Sequence, residues 1–488
     1  MTADTGKLTI VVVGASGHLA RTKILPALFA LHCQDFLPTD FRIVGYARSS
    51  FDDAAFREVI SKHLTCRYAP GASCEERMNE FLGRCHYVRG DYASTNGFLD
   101  LYQRLTEVQS RESANRMFYL AIPPSLFMDV ARAIGNAGFV SCGAAAPWSR
   151  VVIEKPFGRD RASSDILTEE LRKVFTEDQT YRIDHYLGKE VIQNLLVLRF
   201  ANLIFEPLWS RQYVRDVQIT WQENVGVEGR GGYFDEYGII RDVVQNHLLQ
   251  MLALTAMEPP KAFNAKSIRD EKVRVLKAIP PPLLEDVVIG QYAGTDRNGI
   301  VLPGYREDDT VPDDSLTPTF SAVVLRVENE RWKDVPFMIR SGKGLDKKLN
   351  EIRVRFRELP ENMFCNSQGC PQANELVIRV QPDEQIYFTI ANKRPGLEMN
   401  LETRKLDLKY ESAFSELIPD AYESLLLDVL RGEKSLFIRS DELAAAWNVF
   451  TPVLHEIEER RISPHAYEFG GYGPEAADEL FAHACRNS

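Results

Sequence analysis

The sequence lacks long apolar runs, an excess of positive charge and closely paired cysteines. No uninterrupted apolar run of about 18 residues occurs, so the sequence predicts no membrane-spanning helix. Its 69 acidic residues outnumber 58 basic ones, and the net charge of -11 argues against nucleic acid as the main partner. Eight cysteines in 488 residues are too sparse for a disulfide scaffold. No Cys-x-x-Cys pair is present, and Cys365 and Cys370 are spaced too widely for a zinc knuckle, so no metal site is predicted.

The composition is that of a soluble globular protein, with 44% apolar and 26% charged residues. The length accommodates about three domains or two large ones. Residues 1–7 are short and polar and lead directly into a predicted strand, so we expect neither a signal peptide nor a transit peptide there. An anionic ligand would require a local basic pocket because the overall charge would repel it.

The N-terminal part alternates between predicted strands and helical stretches. Short apolar runs predict strands at residues 8–13, 41–46, 117–122 and 151–153, and residues 20–31 have apolar positions at helical spacing. This alternation predicts a doubly wound parallel sheet, that is, an α/β Rossmann domain, which we place at residues 1–200. We expect residues 141–150 to form a surface loop.

After about residue 200, predicted strands follow one another without intervening helices. They fall at residues 217–221, 320–327, 351–356, 376–380 and 386–390, with helical blocks at 239–257 and 419–431. Strands in runs predict an antiparallel sheet, and hence an α+β domain over residues 201–488.

A glycine-containing segment follows the first predicted strand and opens a helix. Its residues are Gly14, Ala15, Ser16, Gly17, His18, Leu19 and Ala20. Glycines at this point permit a tight turn close to a pyrophosphate, whose charge the helix N-terminus favours. A glycine turn without a ligand is the alternative, but the position after the first strand favours a dinucleotide site.

Two basic residues follow predicted strands. Arg48 occupies the place where an NAD enzyme requires an acidic residue, and its guanidinium can bind the 2′-phosphate of NADP. Lys155 ends the strand at 151–153, on the edge where ligands bind in such sheets. Each could instead be a solvated surface residue. The better interpretation is an NADP site.

Residues 181–190 (YRIDHYLGKE) bring a carboxylate, an imidazole, a phenol and an ammonium group into one segment. The segment resembles the signature of the glucose-6-phosphate dehydrogenases almost letter for letter, and the resemblance extends from Val11 to about Leu480. It implies NADP-dependent oxidation of glucose 6-phosphate to 6-phosphoglucono-1,5-lactone. It also implies a Rossmann domain paired with a domain that has a large, mainly antiparallel sheet and makes a dimer contact, in a homodimer or homotetramer.

Oxidation at C1 requires a base for the hydroxyl proton, and His247 is the candidate. A single histidine on an apolar-periodic helix is more often a core residue, but residues 229–238 and 242–247 match the family. Asp242 is five residues away, about 140° around an α-helix, so it is a poor partner for the imidazole. The resemblance assigns the partner's role to Asp184. No metal is required, since the product is a neutral ester at that carbon.

The resemblance also implies the binding residues. Those for the substrate are Lys155, His185, Tyr186, Lys189, Glu223, Asp242, Lys343, Lys348 and Gln381. Those for the cofactor are Gly14 to Ala20 as given above, Arg21, Lys23, Arg48 and Lys155. His18 stands where the family has Asp, and this departure is expected to alter cofactor affinity more than chemistry.

Long blocks at 202–213 and 285–292 resemble the plastid-type plant and algal enzymes. That type has two regulatory cysteines at positions matching Cys66 and Cys74, whose disulfide thioredoxin reduces; two unrelated thiols are the alternative. The resemblance implies the plastid stroma if a transit peptide has been removed, and otherwise the cytoplasm. Some members bind a second, structural NADP, which is not expected here because Leu349 and Thr389 replace lysines.

Two rival functions remain. One is a catalytically silent homologue that regulates an oligomer, and the other is a broader hexose-6-phosphate dehydrogenase that uses NAD. Intact Asp184, His185 and His247 argue against the first, whereas Arg48 argues against the second.

Overall fold

The computed structural model describes residues 6–68, 71–108, 114–140, 147–297, 299–365, 370–413 and 416–486. Within them the chain forms two large sheets. The first sheet begins with six parallel strands, in the order β6-β5-β4-β1-β2-β3. They are β1 (Leu8–Val13), β2 (Phe41–Ala47), β3 (Cys85–Arg89), β4 (Asn115–Leu120), β5 (Ser149–Ile153) and β6 (Thr180–Ile183). This is the strand order of a Rossmann fold, so the expected α/β domain is confirmed.

Helices connect these strands and cover the sheet. They are α1 (Leu25–Cys33), α2 (Asp53–Ser61), α3 (Ala72–Gly83), α4 (Thr95–Val108), α5 (Phe127–Asn136) and α6 (Arg161–Arg172). A π-helical turn (Ala20–Ile24) precedes α1, and a 3-10 turn (Pro124–Leu126) precedes α5. The central strands are apolar throughout, with β1 buried along its whole length, because helices cover both of their faces.

One expectation about the N-terminal part needs correction. The loop predicted at 141–150 lies partly outside the described residues, and Ser149 and Arg150 belong to β5, where they pair with β4. Ser149 is buried, and its hydroxyl donates to the Phe139 carbonyl. The polarity of its side chain alone had suggested a surface position.

The second sheet has nine strands in the order β16-β15-β14-β13-β7-β12-β11-β8-β18. They are β7 (Val214–Gln222), β8 (Val287–Ala293), β11 (Phe320–Arg326), β12 (Pro336–Gly342), β13 (Leu349–Phe356), β14 (Glu375–Gln381), β15 (Gln385–Lys393), β16 (Leu401–Lys409) and β18 (His465–Glu468). The pairs β7–β12 and β8–β18 are parallel, and the other neighbours are antiparallel. The mainly antiparallel α+β domain is therefore confirmed, with the two parallel pairs as a refinement.

The remaining elements of the second half join or flank this sheet. The helices are α7 (Glu190–Phe200), α8 (Phe205–Leu208), α9 (Gly231–Ile239), α10 (Leu249–Ala256), α11 (Ala265–Lys277), α12 (Tyr410–Ala413), α13 (Ala421–Arg431), α14 (Ser440–Glu459) and α15 (Glu475–Arg486). A small hairpin joins β9 (Thr295–Arg297) and β10 (Ile300–Leu302), and a π-helix (Ile240–Leu248) joins α9 to α10. Two 3-10 turns (Leu284–Asp286, Tyr305–Glu307) complete the set. None of the described helices is long and apolar enough to cross a membrane.

The second half of the chain contributes one strand to the first sheet. β17 (Phe437–Ile438) pairs antiparallel with β6 and becomes the seventh strand of the first sheet. The buried Lys434 reinforces this return, since its ammonium donates to the carbonyls of Glu177 and Thr180. The carboxyl end of β5 lies close to the π-helix, because Lys155 just beyond it bonds to Asp242, and the candidate site lies there.

Candidate active site

A cavity of about 1020 Å³ lies between the two sheets, and we call it the cleft. Eleven of the residues predicted for the site line it: His18, Leu19, Lys155, His185, Tyr186, Glu223, Asp242, His247, Lys343, Lys348 and Gln381. They come from both halves of the chain and from positions more than 350 residues apart. The topology, not local sequence, brings them together.

His247 and Asp184 form a buried hydrogen-bonded pair at the cleft. Nδ1 of His247 lies 2.6 Å from Oδ1 of Asp184, and both residues are under 5% exposed. Burial raises the pKa of Asp184, but the charge and hydrogen bond of His247 outweigh it and bring that pKa to about 2. An ionised carboxylate can only accept, so Nδ1–H of His247 donates and Nε2 keeps its lone pair.

The rings beside His247 hold it in place. Tyr186 stacks on it with ring centroids 4.4 Å apart, and His185 meets it edge-on at 4.8 Å. The Tyr186 hydroxyl accepts a 2.7 Å hydrogen bond from the indole of Trp221. Burial lowers the pKa of His247 despite the opposing charge of Asp184, so the imidazole is neutral near pH 7 and can accept a proton.

Asp242 lines the cleft together with His247, although the angle derived for an α-helix put the two on different faces. The reason is local: residues 240–248 form a π-helix, whose i→i+5 hydrogen bonds bring residues five apart nearly into line. Asp242 nevertheless pairs with Lys155, whose ammonium donates to its Oδ1 at 2.8 Å and to its carbonyl at 2.7 Å. Burial raises the pKa of Asp242, but Lys155 more than offsets this and holds it below its usual value.

Neutral and cationic donors cluster beside this pair. Burial and the neighbouring His247 lower the pKa of His185 well below its usual value, so it is neutral. Lys189 immediately precedes α7 at its N-cap, with its ammonium 5.3 Å from the Tyr186 ring centroid. Burial lowers the pKa of Lys189, and the charge of Glu384 opposes that effect.

The other wall of the cleft carries a second lysine–carboxylate pair. Lys343 at the end of β12 donates to Oε2 of Glu223 at 2.6 Å. Two more residues line the same wall: Lys348, which immediately precedes β13, and Gln381, the last residue of β14. The wall therefore offers both donors and acceptors to a hydroxylated anion.

Three potential metal ligands, Asp184, His185 and His247, bring one ligand atom each within 4.8 Å of one another. Two of these residues, Asp184 and His247, are hydrogen-bonded to each other. The expectation that the protein uses no metal remains a prediction.

The glycine segment after β1 forms a tight turn. Gly14 has φ +88° and its amide donates to the Tyr46 carbonyl at 2.8 Å, while a Cβ added there would lie 2.2 Å from the Ala121 carbonyl oxygen. Only glycine fits this backbone and this close approach. The Gly17 amide then donates to the Gly14 carbonyl, and the helical turn starts at His18. The segment has the geometry of a cradle for a pyrophosphate at a helix start.

The predicted basic residues lie around this turn. Arg48 follows β2, is exposed, and has its guanidinium 5.3 Å from the Tyr92 ring centroid. Ser16 accepts a 2.9 Å hydrogen bond from Ser49, which ties the turn to the Arg48 segment. Lys23 pairs with Asp420 at 3.0 Å. His18 is exposed, and its backbone carbonyl accepts a hydrogen bond from the Thr22 hydroxyl. Ala15 and Ala20 are buried, and Arg21 is half-buried.

Both cysteine pairs whose partners are close in sequence are disulfide-bonded. Cys66 and Cys74 are joined with Cα atoms 5.6 Å apart; Cys66 is exposed and Cys74 is buried. Cys365 and Cys370 are also joined, with Cα atoms 4.1 Å apart. The spacing of that second pair was considered only against a zinc knuckle, and its disulfide was not predicted.

Some residues of the cleft were missed from the sequence. Glu154, Trp221 and Tyr422 line it, and burial raises the pKa of Glu154 to about 7 despite hydrogen bonds from Tyr119 and Tyr422. Glu154 was detectable, because it precedes Lys155 at the carboxyl end of a strand. Tyr422 had no local signal, since it comes from α13 at the far end of the chain.

A second cavity of about 670 Å³ lies against strands β7, β12 and β13 of the second sheet, next to helix α15. Its arginines already have carboxylate partners: Arg340 pairs with Asp478, and Arg353 pairs with Glu351 and Glu375. Helix α15 lies against this cavity through Asp478 and Phe481. The expectation that no second dinucleotide binds remains a prediction.

Comparisons with known proteins give one consistent result. The family "Glucose-6-phosphate dehydrogenase, NAD binding domain" matches residues 11–194, and "Glucose-6-phosphate dehydrogenase, C-terminal domain" matches residues 196–487. Glucose-6-phosphate 1-dehydrogenase 3, chloroplastic, of Arabidopsis thaliana is 53% identical over 97% of this chain and 79% of its own length. The cytoplasmic isoform of Solanum tuberosum is 47% identical over 99% and 92%.

A solved glucose-6-phosphate dehydrogenase in complex with its substrate glucose-6-phosphate has a similar structure. It superposes with a TM-score of 0.91 at 41% identity, over 99% of this chain and 98% of that one. The enzyme from Mycobacterium avium has a TM-score of 0.81 at 32% identity, over 98% of each chain.

Proposed function

Since the chain belongs to the glucose-6-phosphate dehydrogenase family, we propose that its cleft oxidises glucose 6-phosphate to 6-phosphoglucono-1,5-lactone with NADP as the hydride acceptor. The observation that carries the proposal is the buried His247–Asp184 pair beside a cleft with two lysine–carboxylate pairs. A base, its counter-charge and donors for a sugar phosphate are thus within one cavity.

In this proposal His247 is the general base. Its free Nε2 takes the proton of the C1 hydroxyl while the C1–H bond breaks, and the electrons of the O–H bond form the C1 carbonyl of the lactone. Asp184 keeps the proton on Nδ1 and stabilises the imidazolium that forms. The stacked Tyr186 ring holds the imidazole plane. NADP, when bound, supplies the nicotinamide carbon that accepts the hydride.

The substrate-binding roles follow from charge and position. His185, Tyr186, Lys189 and Lys348 supply donors for the 6-phosphate. The carboxylates of Asp242 and Glu223 accept sugar hydroxyls, while Lys155 and Lys343 orient these carboxylates. Gln381 contributes one further polar contact from the end of β14.

The cofactor roles follow from the first sheet. The turn at Gly14–Gly17 holds the pyrophosphate, with His18, Leu19 and Ala20 opening the helix behind it and Arg21 and Lys23 adding positive charge. Arg48 binds the 2′-phosphate from its exposed position after β2. A requirement for NADP over NAD depends on this one guanidinium.

The test is the rate of NADPH formation from glucose 6-phosphate in the wild-type protein and in His247→Asn. We expect wild-type turnover and a loss of several orders of magnitude in the variant, with substrate affinity kept within a few fold. His32→Asn is the matched control, because His32 is a buried histidine outside the cleft. Near-normal turnover in His247→Asn would overturn the assignment of the base, and no turnover in the wild type would favour a silent homologue.

We also propose that the enzyme acts in the plastid and is inhibited when thioredoxin reduces the Cys66–Cys74 disulfide. The chloroplastic relatives are more similar than the cytoplasmic isoform, at 53% against 47% identity, and the exposed Cys66 is accessible to a reductant. Initial rates of the oxidised and thioredoxin-reduced protein, compared side by side, test this. Equal rates would remove the switch and keep the enzyme.

A homodimer through the second sheet completes the proposal. The edge strand β16 is exposed along most of its length, and Leu397, Met399 and Leu406 beside or on it are 60% or more exposed. An open edge with apolar side chains is a surface that a second copy would cover. Sedimentation equilibrium of Leu406→Glu against the wild type tests it, with a monomer expected for the variant. A variant that sediments like the wild type would exclude this edge from the interface.

A further inference from the structure

The first turn of α13, residues 420–423, lies between the Cys66–Cys74 disulfide and the cleft. On the side of the turn that faces away from the cleft, the acidic residue Glu423 is only 5% exposed. Tyr68 donates its hydroxyl to Oε2 of Glu423 at 2.7 Å, and Arg67 donates to Oε1 at 3.4 Å. Arg67 also donates to the carbonyl of Ile418, just before the turn. The two residues that directly follow Cys66 thus hold the start of α13.

On its inner side, the same turn forms a wall of the cleft. The Tyr422 ring lies parallel to that of His185, at an interplanar angle of 5° with centroids 6.2 Å apart. The Tyr422 hydroxyl bonds to the buried Glu154. Because Tyr422 and Glu423 are adjacent on one helix, a displacement of Glu423 moves the ring that faces His185.

The start of the turn is fixed by a third contact. Asp420 caps α13 by accepting from the Tyr422 amide at 3.0 Å, and its other oxygen pairs with Lys23 at 3.0 Å. Lys23 belongs to the π-helical turn after the glycine segment. The turn at 420–423 is therefore tied to the cofactor side at one end and to the cysteine side at the other. At the cysteine end, Arg67 and Tyr68 are the described side chains that bond to the Glu423 carboxylate, which also accepts from the Asp420 amide within the same turn.

We propose that Glu423 is a positioning residue for the substrate site, and that the Cys66–Cys74 disulfide acts on substrate affinity through it. The second part rests on the proposed redox function. A dithiol supplies two electrons and two protons, the S–S bond breaks, two thiols form and the dithiol becomes a disulfide. Cys66 is then no longer tied to Cys74, and Arg67 and Tyr68 lose the constraint that keeps them against Glu423. The ring of Tyr422 shifts and His185 loses its wall.

The experiment measures KM for glucose 6-phosphate, KM for NADP and kcat in Glu423→Gln, with the enzyme fully oxidised or reduced by dithiothreitol. In the oxidised state we expect KM for glucose 6-phosphate to rise about tenfold, with kcat and KM for NADP within twofold of wild type. Reduction is expected to add no further rise. The KM-against-kcat split separates positioning from general loss of structure.

Two further variants accompany this test, one that weakens the same contact and one that serves as a control. Tyr68→Phe removes one hydroxyl without disturbing the helix, and we expect a KM rise of about threefold. Glu80→Gln is the matched control, since Glu80 is an acid on α3 that pairs with Arg84 and lies outside the cleft; its kinetics should equal those of the wild type. An unchanged KM in both Glu423→Gln and Tyr68→Phe overturns the positioning role.

Cys66→Ser separates the two parts of the proposal. A KM for glucose 6-phosphate that matches oxidised Glu423→Gln supports the coupling. Wild-type kinetics in Cys66→Ser, with a raised KM in Glu423→Gln, overturn the redox part and keep the positioning residue. Absence of glucose 6-phosphate oxidation in the wild type would refute the proposed function itself, which is a different result from either.

Discussion

Replacement of Asp184 by Asn tests the central pair of the site, because the structure makes this a change of charge alone. Oδ1 of Asp184 accepts from both the Tyr186 amide at 2.9 Å and His247 at 2.6 Å. The amide oxygen of Asn can keep both contacts. The new NH₂ group then takes the place of Oδ2, which is buried and has no hydrogen-bond partner in the structure. His247 keeps its tautomer and loses its anion.

The size of the effect follows from the distance. Two unit charges 2.6 Å apart interact by about 6 kcal/mol at an effective dielectric constant of about 20. The neutral amide retains a hydrogen bond, so the net loss in the transition state is about 3 kcal/mol. That corresponds to a fall of about 10²-fold in kcat. Binding precedes formation of the imidazolium, so KM for glucose 6-phosphate should stay within about threefold.

The assay is the initial rate of NADPH formation at saturating substrates, across a range of pH. Asp184 raises the pKa of His247, so its removal lowers that pKa and moves the acidic limb of kcat/KM to lower pH. Asp216→Asn is the control, since Asp216 on β7 is a fully buried carboxylate that pairs with Arg355 on β13, outside the cleft. A loss in kcat below threefold, or an acidic limb that does not move, would refute the reasoning.

Three other substitutions test separate parts of the site. Arg48→Ala should raise KM for NADP by about 10- to 100-fold, the value of a charge-assisted hydrogen bond, and leave the rate with NAD within twofold; equal losses with both cofactors would exclude a contact to the 2′-phosphate. Lys343→Met removes the partner of Glu223 and should raise KM for glucose 6-phosphate at least tenfold. The double variant Lys343→Met/Glu223→Gln should have a lower KM than Lys343→Met alone. An equal KM in the two variants would mean that Lys343 does not act through Glu223. Burial raises the pKa of Glu154 to about 7, so its contribution to stability is present below its unfolded pKa and is lost as pH rises through 7, by up to about 3 kcal/mol. Glu154→Gln should therefore flatten the fall in unfolding free energy between about pH 4.5 and 7 in urea titrations, and an unchanged slope would show that the pKa of Glu154 is not raised in the folded protein.

The sequence was most informative where one local segment determines the structure. The apolar run at Leu8–Val13 followed by Gly14 predicts a buried strand and a tight turn, because few other backbones suit those residues. It was less informative where the local helix type departs from the common one. The angle between Asp242 and His247 was derived for an α-helix, and the π-helix changes it.

It could not supply contacts between distant segments. Tyr422 and Glu423 have no sequence pattern that indicates the cleft or the cysteine pair, since their roles depend on where α13 packs. The weakly apolar strand β16 was not predicted for a related reason: its side chains are mostly exposed, so no burial pattern marks it. Composition at one position carries no information about a neighbour that lies hundreds of residues away.

The antiparallel strand β17 has a consequence for how the polypeptide is made. Synthesis proceeds from the N-terminus, and domains usually fold as they emerge from the ribosome. Here the outer edge of the dinucleotide-binding sheet, at β6, stays open until Phe437 and Ile438 have been translated. The half of the enzyme that is made first is therefore completed last. A nascent or prematurely terminated chain ending before residue 437 would expose that strand edge to other chains, so nearly full-length fragments should be more prone to aggregate than the finished protein.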